Sequence, residues 1–491
     1  MEDVQPFGLI VLVVAAVGLL AVLSNRLSER LQVPTPAFFL AGAAIAAQLI
    51  PGLEAPPHRT VERLVTVALV VILFDGGMHI GWRRFRGAAV PIASAGVIGT
   101  FLTTIAVAVL AHYAFDLEWY LALLVGTAVA PTDPAVVFSV LGQRELAGRS
   151  GTILEGESGA NDPVGIALMA SLVTAGGVGA SALGDVAGEF VLQMVIGGAV
   201  GLVGGRALLA FMRKVPLPSE GLYPLRTLAG AMLLFGVATV AHGSGFLAVF
   251  VAGITIGDGN APYKREIHRF HSALASLGEI VAFLVLGLTV DLEVLSRTDV
   301  WVPGLVIGIA LAIVIRPVLV GLCLLPVDLS PNERLFVLLA GLKGAVPILL
   351  GNFLLTAHVT DAARLYGIVV VVVAFSVVVQ GGLVPTLARL LRLPMNVVEP
   401  EPWSLGVRLR AEPEGAHQFT VARDSSVDGR RIDDFSHDTP DTWISLIVRN
   451  GRLVPAGGET VLRAGDDVMV LADAARYDEL RAAFTRAAPH V

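Results

Sequence analysis

Two stretches decide the reading of this chain: Gly126-Thr127-Ala128-Val129-Ala130-Pro131-Thr132-Asp133-Pro134-Ala135-Val136-Val137, and Glu155-Gly156-Glu157-Ser158-Gly159-Ala160-Asn161-Asp162-Pro163-Val164-Gly165. Each is an apolar segment interrupted near its middle by carboxylates, proline and glycine. A charge at membrane depth costs about 2.5–3.5 kcal/mol on insertion scales, so a chain that keeps Asp133, Glu157 and Asp162 there uses them. Proline and glycine free backbone groups from helical bonding. Such breaks are tolerated in a bilayer only against protein or a water-lined cavity. Paired broken helices carrying carboxylates are the expected make-up of a cation site.

The surroundings are membrane-like. The 491 residues are 55% apolar and only 15% charged, whereas an average soluble domain is nearer 25% charged. Low-charge apolar runs recur across residues 7–391, which predicts an all-α polytopic membrane protein. The first run, 7–23, lacks a basic leader and a cleavage site and reads as a retained helix. Thirteen spans are expected, at about 7–24, 34–51, 61–80, 88–112, 118–141, 152–176, 184–212, 223–242, 245–257, 272–290, 300–325, 333–355 and 364–391. Arg26, Arg30, Arg83, Arg84, Arg86, Arg144, Arg149, Arg213, Lys214, Lys264, Arg265, Arg269, Arg389 and Arg392 cluster in alternate loops. By the positive-inside rule the N-terminus is outside and the C-terminus cytoplasmic. The lone Cys323 excludes a disulfide framework and reads as a small core residue. A net charge of −7 gives no basic patch for nucleic acid; the partner this composition implies is lipid.

The composition changes after Pro394. Residues 1–395 form the expected membrane domain, 396–403 a linker marked by Pro400 and Pro402, and 404–491 a small cytoplasmic α/β domain. In the last, 419–422, 442–448, 452–454 and 467–472 read as strands, and Asn450-Gly451 as a hairpin turn. Residues 425–435 read as a turn and short helix. An amphipathic helix is expected over 474–484, with Tyr477, Leu480 and Phe484 on one face. This module is small enough that its hydrophobic face predicts a partner copy.

Asp133 and Asp162 are the leading site candidates. A midplane carboxylate pair can hold a cation through hard oxygen ligands or take protons. Competition of the two cargoes for one site is itself a route to exchange. Thr132, Ser158 and Asn161 flank the pair; their oxygens either complete a coordination shell or bond freed backbone groups. Glu157 points elsewhere on its helix and needs a cation, for which Arg316, in Val314-Ile315-Arg316-Pro317, is the best partner. Lys343 lies in a second broken segment, Gly341-Leu342-Lys343-Gly344-Ala345-Val346-Pro347-Ile348. Taking spans one to six and eight to thirteen as two halves, it corresponds to the break in span five. It then balances half-helix C-terminal dipoles, the alternative being a snorkelling lysine at a loop end. Asp75 is a candidate cavity acid or a helix-terminal acid. His79 and His242 read as interfacial residues. No nucleotide loop, metal-spaced Cys/His cluster or nucleophile elbow is present in the sequence, so neither an enzyme nor a cofactor is expected.

Thr132-Asp133-Pro134 followed by Glu157-Ser158-Gly159-Ala160-Asn161-Asp162, then Arg316 and Gly341-Leu342-Lys343-Gly344-Ala345-Val346-Pro347, resembles the monovalent cation:proton antiporter family of the Asn-Asp class, relatives of the sodium/proton exchangers. The likeness covers nearly all of residues 1–395. It implies a thirteen-span fold with inverted repeats, two crossed broken helices, a core domain and a dimerisation domain, hence a homodimer. It implies that Asp162 carries cation and proton, that Asp133, the Thr132 backbone and Ser158 assist, and that Glu157 pairs with Arg316. Asn161 in place of a second acid looks like the electroneutral branch. Many relatives have Arg where this chain has Lys343, and Glu where it has Asp75, which puts any contribution of Asp75 to ion binding in doubt. Residues 404–491, through Gly458-Glu459-Thr460-Val461-Leu462-Arg463-Ala464-Gly465-Asp466-Asp467-Val468, resemble the C-terminal subdomain of regulators of potassium conductance. This implies control of transport by a small ligand or by pH, without a nucleotide site. The combination looks like the cell volume regulation protein A type of potassium/proton antiporter in a cell membrane. The alternatives are a sodium or lithium/proton antiporter and, from another class, a tail-gated cation channel. No filter motif of a channel is seen in the sequence.

Overall fold

The computed structural model describes residues 34–49, 55–141, 144–146, 149–177, 179–259, 261–393, 395–397, 415–439, 441–449 and 452–485. The first expected span, Arg26 and Arg30, most of the expected linker and the Asn450-Gly451 turn lie outside them. The chain divides into two compact units at residue 403.

The first unit is helical. In chain order it holds α1 (Thr35–Leu49), α2 (His58–Ala93), α3 (Gly99–Phe115), α4 (Trp119–Val129), α5 (Pro134–Leu141), β1 (Arg144–Leu146), α6 (Arg149–Ala175), α7 (Ala180–Lys214), α8 (Leu222–Val240), α9 (Gly245–Gly257) and α10 (Lys264–Leu288). Then come α11 (Leu292–Ser296), α12 (Thr298–Ala310), α13 (Arg316–Cys323), α14 (Pro331–Leu339), α15 (Ala345–Thr356), α16 (Ala362–Phe375), α17 (Gly381–Leu390) and β2 (Met395–Val397). Wider π turns at Ser94–Ile98, Leu311–Ile315 and Ser376–Gln380 join α2 to α3, α12 to α13 and α16 to α17. β1 and β2 pair antiparallel, a contact that sequence reading did not anticipate.

Among the described residues, seven helical segments are long and apolar enough to cross a membrane, and α1, α9 and α15 are shorter apolar helices. Two expectations need correction. Residues 81–87 form no separate loop: α2 turns at Gly81 alone, at φ 64°, and Arg83, Arg84 and Arg86 lie on the helix beyond it. The turn stands because glycine reaches positive φ without strain and because the Asp258 carboxylate accepts the Arg83 N–H just beyond it. Secondly, the Glu155–Gly165 stretch is not a helix break. α6 runs unbroken from Arg149 to Ala175 with Pro163 inside it. An interior proline removes one backbone bond and can be accommodated in a buried helix whose neighbours adjust. The breaks lie instead at 130–133, between α4 and α5, and at 340–344, between α14 and α15.

The second unit contains β3 (Ala416–Thr420), α18 (Ile432–Asp438), β4 (Trp443–Arg449), β5 (Arg452–Val454), β6 (Asp467–Leu471) and α19 (Tyr477–Thr485). The four strands form one antiparallel sheet in the order β3-β6-β4-β5. Strand alternation, with a bulge between Ile444 and Leu446 that shifts the phase of β4, sends Phe419, Ile444, Ile447, Val468 and Val470 to one core. Leu480 and Phe484, one helical turn apart on α19, are buried against that core, and Phe484 stacks on Phe419 with ring centroids 5.0 Å apart. Tyr477, expected on the same face, stays half out of it at 41% exposure.

Inside this unit Asp466 is fully buried and takes a two-point ion pair from Arg449, Nε to Oδ1 and Nη2 to Oδ2, both at 2.7 Å. Asp466 also accepts the Arg463 N–H, so one carboxylate ties β4 to the turn before β6. Removing one side of such a pair strands the other. We therefore expect Asp466→Asn to destabilise this unit by about 3 kcal/mol. Hydrogen exchange in the full-length protein should read this as faster exchange across 443–449 and 467–471.

Candidate functional site

The two helix breaks meet. The Asp133 N–H donates to the Leu342 carbonyl at 2.8 Å, joining the 130–133 break to the 340–344 break. Each break exposes the carbonyl end of one half-helix and the amide end of the next. No water reaches such ends in a bilayer core, so protein groups must satisfy them.

The carbonyl ends take cations. Lys343 Nζ donates to the carbonyls of Ala130 and Pro131, just past the end of α4, at 2.8 and 3.1 Å. Arg316, at the start of α13, donates through Nε to Leu338 and through Nη2 to Val337, the last turn of α14. Gln380 Nε2 donates to Leu339 at 2.7 Å, and its Oε1 accepts from Ser376 Oγ, which itself accepts the Lys343 N–H. Positive and donor groups at helix C-termini complement the helix dipole. Lys343 and Arg316 are each only 4% exposed. A cavity of about 10 Å³ is walled by Arg316, Gly341, Lys343, Ser376 and Gln380.

The amide ends take a carboxylate. Asp133 Oδ1 accepts the Ala135 N–H at 2.9 Å, as an N-terminal cap of α5. Its carboxylate also lies against the amides of Val136 and of Ala345, the first residue of α15. Gly344 is required here, because a Cβ at that position would land on the Asp133 carboxylate. Gly341 is required likewise, since a Cβ there would land on the Arg316 guanidinium.

Helix α6 is laid across this pair of breaks and presents two residues to Thr132. Asn161 Nδ2 donates to Thr132 Oγ1 at 2.8 Å, and Asn161 Oδ1 accepts the Thr132 N–H at 3.3 Å. Ser158 Oγ donates to the Thr132 carbonyl at 2.6 Å. One turn back, Glu157 makes a two-point ion pair with Arg316, Nη1 to Oε1 at 2.6 Å and Nη2 to Oε2 at 3.0 Å. Asp162, 7% exposed, lies within electrostatic reach of Asp133 and Lys343, and its Oδ1 is buried with no hydrogen-bond partner. An unpartnered carboxylate oxygen in a dry site is costly and can be relieved by a proton or a monovalent cation.

Eight of the nine residues singled out in the sequence thus converge: Thr132, Asp133, Glu157, Ser158, Asn161, Asp162, Arg316 and Lys343. Asp75 faces a different set of residues. It sits on α2 before the Gly81 turn, where its Oδ1 accepts from Ser272 Oγ at 3.2 Å and its Oδ2 lies 3.4 Å from His79 Nδ1. His79, expected at the interface, is thus a partner of Asp75. Sequence reading missed Ser376 and Gln380, which carry no charge and no break signal. It also missed Glu279, an acid inside the apolar run Leu277-Gly278-Glu279-Ile280-Val281-Ala282-Phe283. The rule that flags Asp162, an ionisable residue at membrane depth, applies to it equally.

Broken helices, buried carboxylates and charge-capped helix ends define a multi-pass membrane transporter. The profile of the family described as sodium/hydrogen exchanger, transmembrane, matches residues 12–390, and that of the TrkA-C domain matches residues 416–485. The chain belongs to the sodium/hydrogen exchanger family. It is 32% identical over 489 residues to the K(+)/H(+) antiporter NhaP of Alkalimonas amylolytica, covering 99% of this chain and 84% of that protein. It is also 32% identical over 509 residues, with the same coverage, to the K(+)/H(+) antiporter NhaP2 of Shewanella sp. strain MR-4. The Na(+)/H(+) antiporter NhaH of Halobacillus dabanensis is 29% identical over 337 residues, 65% of this chain and 80% of that one. Among solved structures, the sodium proton antiporter MjNhaP1 of Methanocaldococcus jannaschii at pH 8 shares the fold, with a TM-score of 0.62 at 22% identity over 76% of this chain and 99% of that one.

Two outcomes test this geometry. Gly344→Ala should displace the Asp133 carboxylate and cut cation-coupled proton flux by about tenfold or more, because misplacing a site group by ~1 Å can cost a hundredfold; Gly42→Ala, where a Cβ meets nothing within 4 Å, is the control. Glu157→Gln leaves Arg316 half-matched and should destabilise the protein by about 3–5 kcal/mol, whereas the double change Glu157→Leu with Arg316→Met should recover part of that. Thermal unfolding of the detergent-purified protein measures both.

Proposed function

We propose that this chain is a secondary antiporter that exchanges K⁺ for H⁺ across the cell membrane by alternating access around Asp162. The observation that carries the reading is Asp162 Oδ1, buried without a partner beside the paired breaks. One proton or one monovalent cation can neutralise that carboxylate, and the two cannot do so together. Exchange follows when the loaded forms cross and the empty, charged form does not. Asp133 is the second acid of the site. Ser158 and Asn161 bond Thr132, which holds the break in place, while their oxygen lone pairs remain able to face a cation. A carrier Asp162 preceded by Asn161 rather than by an adjacent second acid supports one cation per proton, an electroneutral exchange.

Potassium is preferred to sodium because the relatives matching 99% of this chain are named K(+)/H(+) antiporters. The match to a Na(+)/H(+) antiporter over 65% of the chain keeps sodium/proton exchange as the second reading. The proposal extends to the architecture. It assigns residues 1–395 to a thirteen-span exchanger domain of inverted repeats with the α4–α5 and α14–α15 breaks crossed, and 396–403 to a linker. Residues 404–491 are assigned to a cytoplasmic regulatory domain that takes a small ligand. The N-terminus is outside, and the protein works as a homodimer. Two broken helices in corresponding positions support the repeats; the TrkA-C match supports the regulatory domain.

The test is dissipation of a pH gradient in everted vesicles or proteoliposomes, with potassium, sodium and lithium chloride added separately between pH 6 and 9. A saturable potassium response, obligatorily coupled to protons and abolished by Asp162→Asn, is expected. A sodium or lithium response alone moves the protein to the second reading. Cation flux that neither saturates nor couples to protons makes it a channel. Exchange that survives Asp162→Asn rejects the site.

A further inference from the structure

Among the described residues, two carboxylate oxygens are sealed from solvent with no hydrogen-bond partner: Asp162 Oδ1 and Glu279 Oε1. The other buried acids are matched. Glu157 has Arg316, Asp466 has Arg449, and Asp75 has Ser272 and His79. Asp133, half-buried, has backbone amides. Glu279 is half-buried as a residue, yet its Oε1 faces no donor and no solvent.

Its position is not incidental. Glu279 projects from α10, which packs against α15, and the first residue of α15 lies against the Asp133 carboxylate. Glu279 and Asp133 are near enough for their charges to interact. Two ionised acids near one another repel, and in a low dielectric that repulsion is large. A group kept only for packing would be expected to be apolar or hydrogen-bonded, as the other acids here are. A mobile positive charge would relieve both acids at once.

We propose that Glu279 is a third carboxylate of the transport site, supplied by α10, which receives the incoming monovalent cation together with Asp133 and raises the site's affinity for it. The proposal rests on the antiporter reading. The protein holds Asp133 rigidly, through amides at two helix ends. Glu279, on a helix packed against α15 and with a free oxygen, is the second acid available to the cation.

The experiment uses Glu279→Gln, which keeps the shape of the neutral acid and removes the charge. Two readouts are taken on the full-length protein: binding of rubidium-86, a potassium surrogate, to purified protein at alkaline pH, and exchange in proteoliposomes. Loss of one nearby charge should weaken rubidium binding about tenfold. The half-saturating potassium concentration should rise by a similar factor, with the maximal rate within about twofold of wild type. Glu279→Asp, which retains the charge at shorter reach, should fall between the two and serves as the second variant if Gln impairs folding. Rubidium binding by Glu279→Gln equal to wild type, or a reduced maximal rate at unchanged half-saturation, would overturn the proposal and leave a packing role. Failure of the antiporter reading looks different: wild-type protein binds rubidium through Asp162 but moves no protons, and the ratio of binding constants still decides Glu279.

Discussion

The structure depends on one constraint: two helices stop in the interior of a membrane unit, and their ends must be satisfied without water. Stopping α4 and α14 leaves carbonyls; starting α5 and α15 leaves amides. The chain meets the first need with Lys343 and Arg316, and the second with Asp133. Each capping group therefore comes from the other break or from a neighbouring helix, never from the half-helix it caps, except Asp133 on α5. The breaks hold one another in place. A charged residue here is not decoration on a scaffold but the means by which irregular backbone survives at this depth.

The proposed transport chemistry falls to what remains once those needs are met. Lys343 and Arg316 are committed to carbonyls, and Arg316 also to Glu157. Asn161 and Ser158 each bond Thr132. The capping set is closed around Asp133, and Asp162 stands beside it with an oxygen that no protein group answers. A buried carboxylate oxygen without a protein donor is costly, and one positive charge relieves it. The contrast with Glu157, five residues earlier on the same helix and matched at both oxygens, is that Asp162 keeps one oxygen without a partner.

Much of this was legible from the chain itself, for a physical reason. Charges in apolar runs are rare because they are expensive, so Asp133, Glu157, Asp162, Arg316 and Lys343 stand out without any structure. Proline and glycine marked the breaks at 130–133 and 340–344 because backbone release needs those residue types. The same cue misled at Pro163. Whether a proline breaks a helix or sits inside it depends on neighbours that are remote in sequence, and α6 passes through unbroken. Ser376 and Gln380 were illegible because uncharged capping groups look like any polar residue in a helix, and their partners lie 33 and 41 residues away. Glu279 was passed over because it has no adjacent break, although its charge alone was the relevant signal.

The strengths of these contacts bear on how the site changes sides. Helix α6 is tied to the breaks by three neutral hydrogen bonds at Thr132 and by the Glu157–Arg316 pair. Neutral bonds are exchangeable at about 0.5–1.5 kcal/mol each, but parting a buried ion pair costs about 3–5 kcal/mol with nothing to replace it. Access to Asp162 is therefore poorly served by pulling α6 away from α4–α5 and α14–α15. The cheaper motion keeps α6, α13 and both breaks together as one body and slides or tilts that body against the rest of the unit. On this argument the charge network does more than hold irregular backbone. If Asp162 is the carrier proposed above, the network makes its site a rigid part, so that a proton or a cation would meet the same carboxylate from either face.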